Sequence, residues 1–160
     1  MTRRRQRNLF LCLRITVILA LFLSTTAAAQ AVARDEIAGP VEAKILRVID
    51  GDTLLVEARP WPQQKVEVYV RIRGIDTPEI RSSCASERQA EAAEAARQAL
   101  ELLAASSSTV ELSRISGDKY FDRVVADVTL AGGKQPAEHL LLAGLAVSYD
   151  GGRKAKQDCK

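Results

Sequence analysis

The segments IDGDT at residues 49–53 and RIRGIDTPE at residues 71–79 decide how this chain folds and where its chemistry lies. In each, an apolar β-branched run gives way to turn residues and acids, which predicts a strand that ends in a polar loop. Strands placed side by side would bring the loop residues together. Carboxylate and backbone oxygens bind Ca²⁺ or Mg²⁺, a further carboxylate can act as a base, and an arginine fork matches a phosphate. The side chains predicted to converge are Asp52, Asp76, Glu79 and Arg71.

Each segment alone has a simpler interpretation. Asp-Gly after an apolar run is a common hairpin signal. Thr77, Pro78 and Glu79 would also make a good helix start, with a cap, a proline at the first position and an acid. No turn requires both loops together with the Arg-x-Arg strand at residues 71–73, so the combination favours a functional site.

Four motifs in order resemble the staphylococcal nuclease (thermonuclease) family. They are VIDGDT at 48–53, an arginine five residues before DTPE at 76–79, DKY at 118–120 followed by Arg123, and AGLA at 143–146. The similarity runs from about Val41 to Tyr149. It implies a Ca²⁺-dependent endonuclease that hydrolyses phosphodiester bonds of DNA and RNA, prefers single-stranded or frayed substrates and leaves 3′-phosphates. No stable protein partner is implied, and we expect a monomer.

The resemblance assigns the acidic residues to metal binding and proton transfer. Asp52 and Asp76 would bind Ca²⁺ through their carboxylates, and Thr77 through its backbone carbonyl. Glu79 would be the general base that positions and deprotonates the attacking water. A carboxylate can accept that proton only if a metal does not already saturate it.

The resemblance also assigns the basic and aromatic residues. Arg71 and Arg123 would hold the phosphoryl oxygens in the transition state, and Tyr120 would line the nucleotide pocket, with a core tyrosine bonded to the backbone as the alternative. The chain departs from the family after Tyr120. Phe121 and Asp122 stand where the family has one glycine, so Arg123 is displaced by one residue and needs a local bulge to keep its direction.

Periodicity predicts an α+β domain that is mainly β. Strands are expected at 41–49, 53–58, 65–73, 110–113 and 124–130, a long helix after Ser86 and a short helix from Pro136 through Leu142. In the first strand we expect Val41, Ala43, Ile45, Leu46 and Val48 to face inward. Five strands with one long helix after the third suggest a five-stranded OB-like Greek-key barrel with two to three helices, and the resemblance implies the same fold.

The long helix has its own signature. Ser86 and Gln89 fit a capping box, and an apolar stripe follows on one face. The stripe is Ala92, Ala96, Ala99, Leu100 and Leu103. So much alanine predicts a helix that lies close to whatever it covers.

Residues 1–31 read as a signal peptide, with cleavage near Ala29 or Ala31. A basic start precedes the apolar run at 15–23, which is too short to cross a bilayer, and small residues follow. Residues 32–160 are then a single exported domain with a C-terminal tail, periplasmic or secreted. An uncleaved membrane anchor is the alternative.

The positive charge of the chain belongs to this N-terminal segment. Five of the 23 basic residues and none of the 20 acidic residues lie within residues 1–31, so the remainder carries 18 basic and 20 acidic residues, a formal −2. The overall balance therefore does not support non-specific nucleic-acid coating. Phosphate affinity must come from a bound cation and a local cluster, for which the candidates are Arg71, Arg73, Arg81 and Arg123.

Two of the three cysteines, Cys84 and Cys159, remain after the signal segment. An even pair in an exported domain predicts a disulfide, and two buried free thiols are the alternative.

Two other classes of function stay open at this stage. One is a catalytically silent OB module that binds oligonucleotides. The other is a Ca²⁺-dependent enzyme that acts on a different phosphodiester, such as a small nucleotide.

Overall fold

The computed structural model describes residues 35–79 and 86–152. Its strands are β1 (Glu36–Ile37), β2 (Val41–Asp50), β3 (Thr53–Ala58), β4 (Val66–Ile72), β5 (Ile75–Asp76), β6 (Thr109–Gly117), β7 (Arg123–Leu130) and β8 (Val147–Ser148), and its helices are α1 (Glu87–Ala105) and α2 (Pro136–Leu142). The segment at 1–31, Arg81 and both cysteines of the predicted disulfide, Cys84 and Cys159, lie outside the described residues.

Five strands close into a barrel. The order is β2–β3–β4–β7–β6, and β6 pairs again with β2 to complete the ring. The β4–β7 pair is parallel, and the other pairs are antiparallel. β1 adds to the far end of β6, and β5 with β8 forms a separate two-stranded sheet. The prediction of a mainly β, OB-like five-stranded barrel is confirmed, with two helices in the described part of the chain.

The barrel interior is aliphatic. Alternate residues of the strands point inward, except at the irregular positions of β2 and β6, and both helices contribute to the core, α1 with Leu100 and α2 with Leu140. The fully buried side chains include Leu54, Val56, Val70, Ile72, Leu100, Val110, Leu112 and Leu140. Within the described ranges, neither helix is long and apolar enough to cross a membrane.

Both helices begin as the sequence predicts. The side chain of Ser86 accepts a hydrogen bond from Gln89 N and that of Gln89 accepts one from Ser86 N, which completes the capping box. α2 runs from Pro136 to Leu142 and is followed by Gly144 at φ 67°. The alternative helix start at residues 77–79 is wrong, because that segment is not helical and α1 begins ten residues later.

Helix α1 lies against the β2–β3 turn with almost no space between them. A Cβ added to Gly51 would be 2.7 Å from the Cβ of Ala96 and 2.8 Å from the Oγ1 of Thr77. The prediction that this alanine-rich helix packs closely is confirmed. The buried stripe is Ala93, Ala96 and Leu100, so it begins at Ala93 and not at the expected Ala92.

Irregular pairing changes the inward face of β2. The β2–β3 register shifts between Ile45 and Arg47, and such a bulge turns the following side chains to the opposite face. Leu46, which follows inward-facing Ile45, is 41% exposed, and the expectation that it faces inward is wrong. The shift instead turns Val48 inward, where it packs against the core as expected. β6 has a similar shift between Ser113 and Ser116, where Arg114 adopts φ 48°.

Candidate active site

The β2–β3 hairpin places Asp52 in a buried turn. Asp50 pairs with Thr53, so Gly51 and Asp52 form a two-residue loop. Asp52 is only 2% exposed. Its Oδ1 accepts a hydrogen bond from Thr53 Oγ1 at 3.0 Å, and its Oδ2 accepts one from Thr77 N at 3.2 Å. The hairpin turn of the simpler interpretation is therefore present, and it carries the buried carboxylate of Asp52.

Arg71 joins the two aspartates that the sequence predicts to converge. The β3–β4 register puts Arg71 opposite Thr53. Its Nη1 donates to Asp52 Oδ1 at 2.7 Å, and its Nη2 donates to Asp76 Oδ1 at 2.6 Å. One planar guanidinium thus bridges both carboxylates, which places Asp52 and Asp76 on opposite sides of a single positive charge.

Burial sets the charge state of this cluster. The pKa of Asp52 is raised from 3.8 to about 6, because desolvation and the nearby charge of Asp50 outweigh the lowering effect of Arg71. Burial acts to lower the pKa of Arg71, but the carboxylates of Asp52 and Asp76 outweigh it and raise that pKa above its ordinary value. The acids therefore need a cation beside them, and in this structure Arg71 supplies it.

The donor set is suited to a hard cation. Asp52 and Asp76 provide carboxylate oxygens, and buried Thr77 is bonded to Asp52 through its N–H. Oxygen ligands of this kind favour Ca²⁺ or Mg²⁺ over zinc. Nowhere in the described ranges do three or more His, Cys, Asp or Glu side chains form a metal cluster. An ion here would rely on two carboxylates, backbone oxygen and water.

Glu79 is placed differently from the two aspartates. It is exposed, and it lines the same groove as Asp52 and Arg71. An exposed carboxylate at the groove wall can contact a water that buried Asp52 cannot reach. The structure thus brings together the acids predicted from the sequence, with Asp52 buried and Glu79 open to solvent.

Arg123 reaches the groove despite the extra residue before it. Asp122 adopts φ 63°, a left-handed conformation that Asp tolerates better than most residues. Its carbonyl accepts from Tyr69 N at 3.2 Å, and Arg123 then pairs with Tyr69 at the start of β7. The insertion is absorbed within the turn, and Arg123 lines the groove together with Arg71.

The guanidinium of Arg123 is oriented but not saturated. Its Nε donates to Asp118 Oδ2, and its Cζ lies 4.6 Å from the centroid of the Tyr120 ring. Among the described residues, no hydrogen bond engages its two terminal nitrogens. Arg123 is consequently held in place with its terminal nitrogens available to an anion, in contrast to Arg71.

Tyr120 lies at the surface of the groove. It is 56% exposed, and Lys119 Nζ is 4.9 Å from the centroid of its ring, on which Arg123 also packs. The alternative of a core tyrosine is wrong. The placement fits a residue that contacts a ligand through its ring.

Arg73, a candidate for the basic cluster, is hydrogen-bonded to strands β6 and β7 of the barrel. Its Nη2 donates to Ser116 Oγ at 2.9 Å and to Val125 O at 3.1 Å, and it also donates to the carbonyl of Arg114. These bonds satisfy the polar groups where the β6–β7 pairing is interrupted. Its terminal Nη2 is already shared among these acceptors, so Arg73 offers less to a phosphate than Arg123.

Two contributors to the site were not assigned roles from the sequence. Tyr149 donates its N–H to Gly74 O, and its ring lies 5.7 Å from Arg71 Cζ. Asp118, quoted only as part of a motif, accepts from Arg123. The residues after AGLA gave no helical or strand signal that placed Tyr149, because β8 is only two residues long.

The groove combines both signs of charge. Its basic lining residues are Arg71, Arg73, Arg97, Arg114, Lys119 and Arg123, and acids line the same walls. An OB-like barrel with converging carboxylates, arginines and ring surfaces defines a protein of the nuclease or oligonucleotide-binding class.

A family model described as staphylococcal nuclease homologue matches residues 69–160. The match covers more than half of the chain, and the protein belongs to the staphylococcal nuclease family. No curated protein gives a significant match. The matched range includes Arg71, Asp76, Glu79 and Arg123 but starts after Asp52. Asp52 is connected to this range by its hydrogen bond from Arg71.

Proposed function

We propose that the protein is a Ca²⁺-dependent endonuclease that hydrolyses phosphodiester bonds in DNA and RNA, with single-stranded or frayed regions preferred and 3′-phosphates as products. One observation carries the proposal. Arg71 bridges buried Asp52 to half-buried Asp76. Asp52 and Arg71 share a groove with an exposed carboxylate, Glu79, and with a second arginine whose terminal nitrogens donate no hydrogen bond among the described residues. An oligonucleotide-binding module needs neither the bridged acids nor the exposed carboxylate.

The two arginines divide the work on the phosphate. Arg123 presents its terminal nitrogens to the phosphoryl oxygens while Asp118 and Tyr120 fix the direction of the side chain. Arg71 can also contact the phosphate once a cation other than Arg71 neutralises the carboxylates of Asp52 and Asp76. Positive groups placed before the reaction stabilise the charge that builds on a five-coordinate phosphorus.

Glu79 performs the proton transfer. Its carboxylate orients a water, accepts a proton as the water oxygen attacks phosphorus, and the 5′ oxygen of the next nucleotide departs on the opposite side. Glu79 is exposed, so a water molecule can reach its carboxylate.

The site also implies a divalent cation. Asp52, Asp76 and the backbone of Thr77 would hold it, and a bound Ca²⁺ would supply Lewis-acid stabilisation of the phosphate. The raised pKa of Asp52 fits a site whose carboxylates are incompletely neutralised by Arg71 alone.

A digestion experiment tests the proposal directly. The protein comprising residues 32–160 is incubated with plasmid, single-stranded DNA and RNA, with Ca²⁺ or with EDTA. We expect Ca²⁺-dependent cleavage that is faster on single strands. Oligonucleotide binding without cleavage would instead establish a silent OB module, and hydrolysis restricted to small nucleotides would establish a different phosphodiesterase.

Variants then separate metal ligands from base. Asp52→Asn and Asp76→Asn should regain part of their activity as Ca²⁺ is raised, because they weaken the ion site. Glu79→Gln should lose roughly 10²- to 10⁴-fold and should not respond to added Ca²⁺. Glu67→Gln, an exposed acid on β4, is the matched control. Near wild-type cleavage by Glu79→Gln would show that Glu79 is not the base.

A further inference from the structure

The aromatic residues of this protein are distributed in an unusual way. The described residues contain five of them, and none belongs to the core, which is aliphatic. Aromatic side chains ordinarily contribute strongly to cores because they bury a large area. Trp61 lies in the β3–β4 loop. Of the other four, Tyr120 and Tyr149 line the groove. Tyr69 on β4 and Phe121 in the turn before β7 lie at the surface next to the groove in the fold.

Two of the four rings already have cationic partners, and two do not. Tyr149 packs on Arg71, and Tyr120 packs on Arg123. In the described part of the chain, Tyr69 and Phe121 have no ring or cation stacked on them. Phe121 is 95% exposed and Tyr69 is 37% exposed. Their faces are therefore open to a ligand.

The position of these two rings relates them to the phosphate-binding arginines. Tyr69 precedes Arg71 by two residues on β4, so both share one face of the strand, and Tyr69 is the register partner of Arg123. The turn that bears Phe121 is fixed to Tyr69 by the bond from Tyr69 N to Asp122 O at 3.2 Å. Tyr69 and Phe121 thus occupy strand and turn positions next to Arg123.

The adjacent charges indicate what would stack there. Lys119 and Arg123 flank Phe121 in the sequence and line the groove, so a chain of phosphates leaving the scissile position meets cations next to exposed rings. Aromatic faces combined with a basic groove are the usual means of holding single-stranded nucleic acid without sequence preference. An anionic membrane is disfavoured, because residues 32–160 carry a formal charge of −2.

We propose that Phe121 and Tyr69 form a stacking subsite for a base outside the scissile nucleotide, which makes single-stranded oligonucleotides better substrates than mononucleotides or duplexes. The subsite rests on the proposed nuclease function and extends it. The residue inserted before Arg123 therefore gains a role in substrate selection.

The expected effect is on binding of long substrates only. Loss of one base stack corresponds to roughly 5- to 150-fold in affinity. Phe121→Ala should raise the KM for an oligothymidylate of about eight nucleotides by an amount in this range and leave kcat unchanged. Binding of a nucleoside 3′,5′-bisphosphate, which covers only the scissile position, should not change. Phe121→Trp should retain the affinity of the wild type.

Fluorescence gives a reading that does not depend on catalysis. Phe121→Trp in a Trp61→Phe background leaves a single tryptophan at the proposed subsite. Its emission should be quenched by the oligothymidylate and not by the bisphosphate, in the presence of Ca²⁺ and with Glu79→Gln to prevent cleavage. Leu142→Ala, an 81% exposed side chain on α2, is the control for loss of an exposed apolar group. Tyr69→Ala and Tyr69→Leu remove the second ring of the subsite, and the leucine variant keeps an apolar side chain on β4. Melting curves test whether each variant is folded.

The outcomes separate the two proposals. Unchanged oligonucleotide affinity in Phe121→Ala, with cleavage intact, would overturn the stacking subsite and leave the nuclease function standing. Quenching without any cleavage by the parent protein would support the subsite and overturn the nuclease. Failure to bind any nucleic acid would overturn both. Quenching by phosphatidylglycerol vesicles but not by the oligonucleotide would identify a membrane contact and overturn the subsite.

Discussion

Replacing Asp52 by asparagine should stabilise the ion-free protein at neutral pH while it impairs the active site. The folded state raises the pKa of Asp52 from 3.8 to about 6, mainly through burial. The native protein therefore binds this proton more tightly than the unfolded chain does. The contribution of Asp52 to the free energy of unfolding therefore decreases as the pH rises from about 4 to about 6, and it stays reduced above that range.

The magnitude follows from the size of the shift. Each pKa unit corresponds to about 1.4 kcal/mol, so ionised Asp52 costs on the order of 3 kcal/mol at pH 7. Asparagine has the shape of the protonated acid and carries no charge, and its one carbonyl oxygen keeps either the bond from Thr77 N or those from Thr53 and Arg71. For a domain of this size the gain corresponds to a rise in melting temperature on the order of 10 °C.

The assay is thermal unfolding of both proteins in EDTA between pH 4 and pH 8. The advantage of Asp52→Asn should be largest at pH 7 and should vanish near pH 4. Asp150→Asn, an exposed acid of the same groove, is the matched control. Added Ca²⁺ should narrow the difference, because ligand binding stabilises the wild type.

Two results would refute this reasoning. If Asp52→Asn is less stable than the wild type at pH 7, the contacts of the carboxylate with Arg71 and Thr77 outweigh its desolvation. If its advantage is the same at pH 4 and pH 8, the effect does not come from ionisation of Asp52.

Four further predictions concern packing, the second arginine, the cysteines and export. Gly51→Ala should destabilise the fold by about 1–3 kcal/mol in denaturant unfolding, because its Cβ would collide with Ala96 and Thr77, whereas Gly117→Ala, with open space around it, should be tolerated; an unaffected Gly51→Ala would contradict the close approach. Arg123→Lys should lower kcat on the order of 10²-fold, and wild-type turnover would mean that Arg123 does not contact the reacting phosphate. Cys84→Ser and Cys159→Ser should each lower the melting temperature, with no further loss in the double variant, because a disulfide closing that loop is worth on the order of 4 kcal/mol; labelling of both thiols in the native unreduced protein would rule the bond out. Protein recovered from the producing cell should begin at Gln30 or Val32 by mass spectrometry, and a mass that retains residues 1–29 would indicate a membrane anchor.

Features encoded in short windows could be predicted from the sequence. The alternation in 65–73 gave strand β4, the Ser86–Gln89 capping box gave the start of α1, and Pro136 with Gly144 gave both ends of α2. Each depends on residues within one or two turns of each other, so local geometry is sufficient to specify it. The pattern of acids at 49–53 and 71–79 also identified residues that the structure brings together.

Features that depend on distant segments could be decided only by the tertiary structure. Val48 rather than Leu46 packs against the core together with Ile45 because of a register shift between β2 and β3, which no alternation pattern records. Arg123 returns to the groove because Asp122 takes a left-handed conformation that is fixed by a bond from β4.

The sequence by itself determined which residue types are available for the chemistry and on which strands and turns they lie. The tertiary structure decided the state of those groups. The pKa of Asp52 depends on Arg71 and Thr77, which are 19 and 25 residues away, and on the desolvation that close packing of α1 against Gly51 helps to impose. Desolvation and Coulomb energies depend on distances through space, and the closed barrel fixes those distances by joining strands that are remote in the chain.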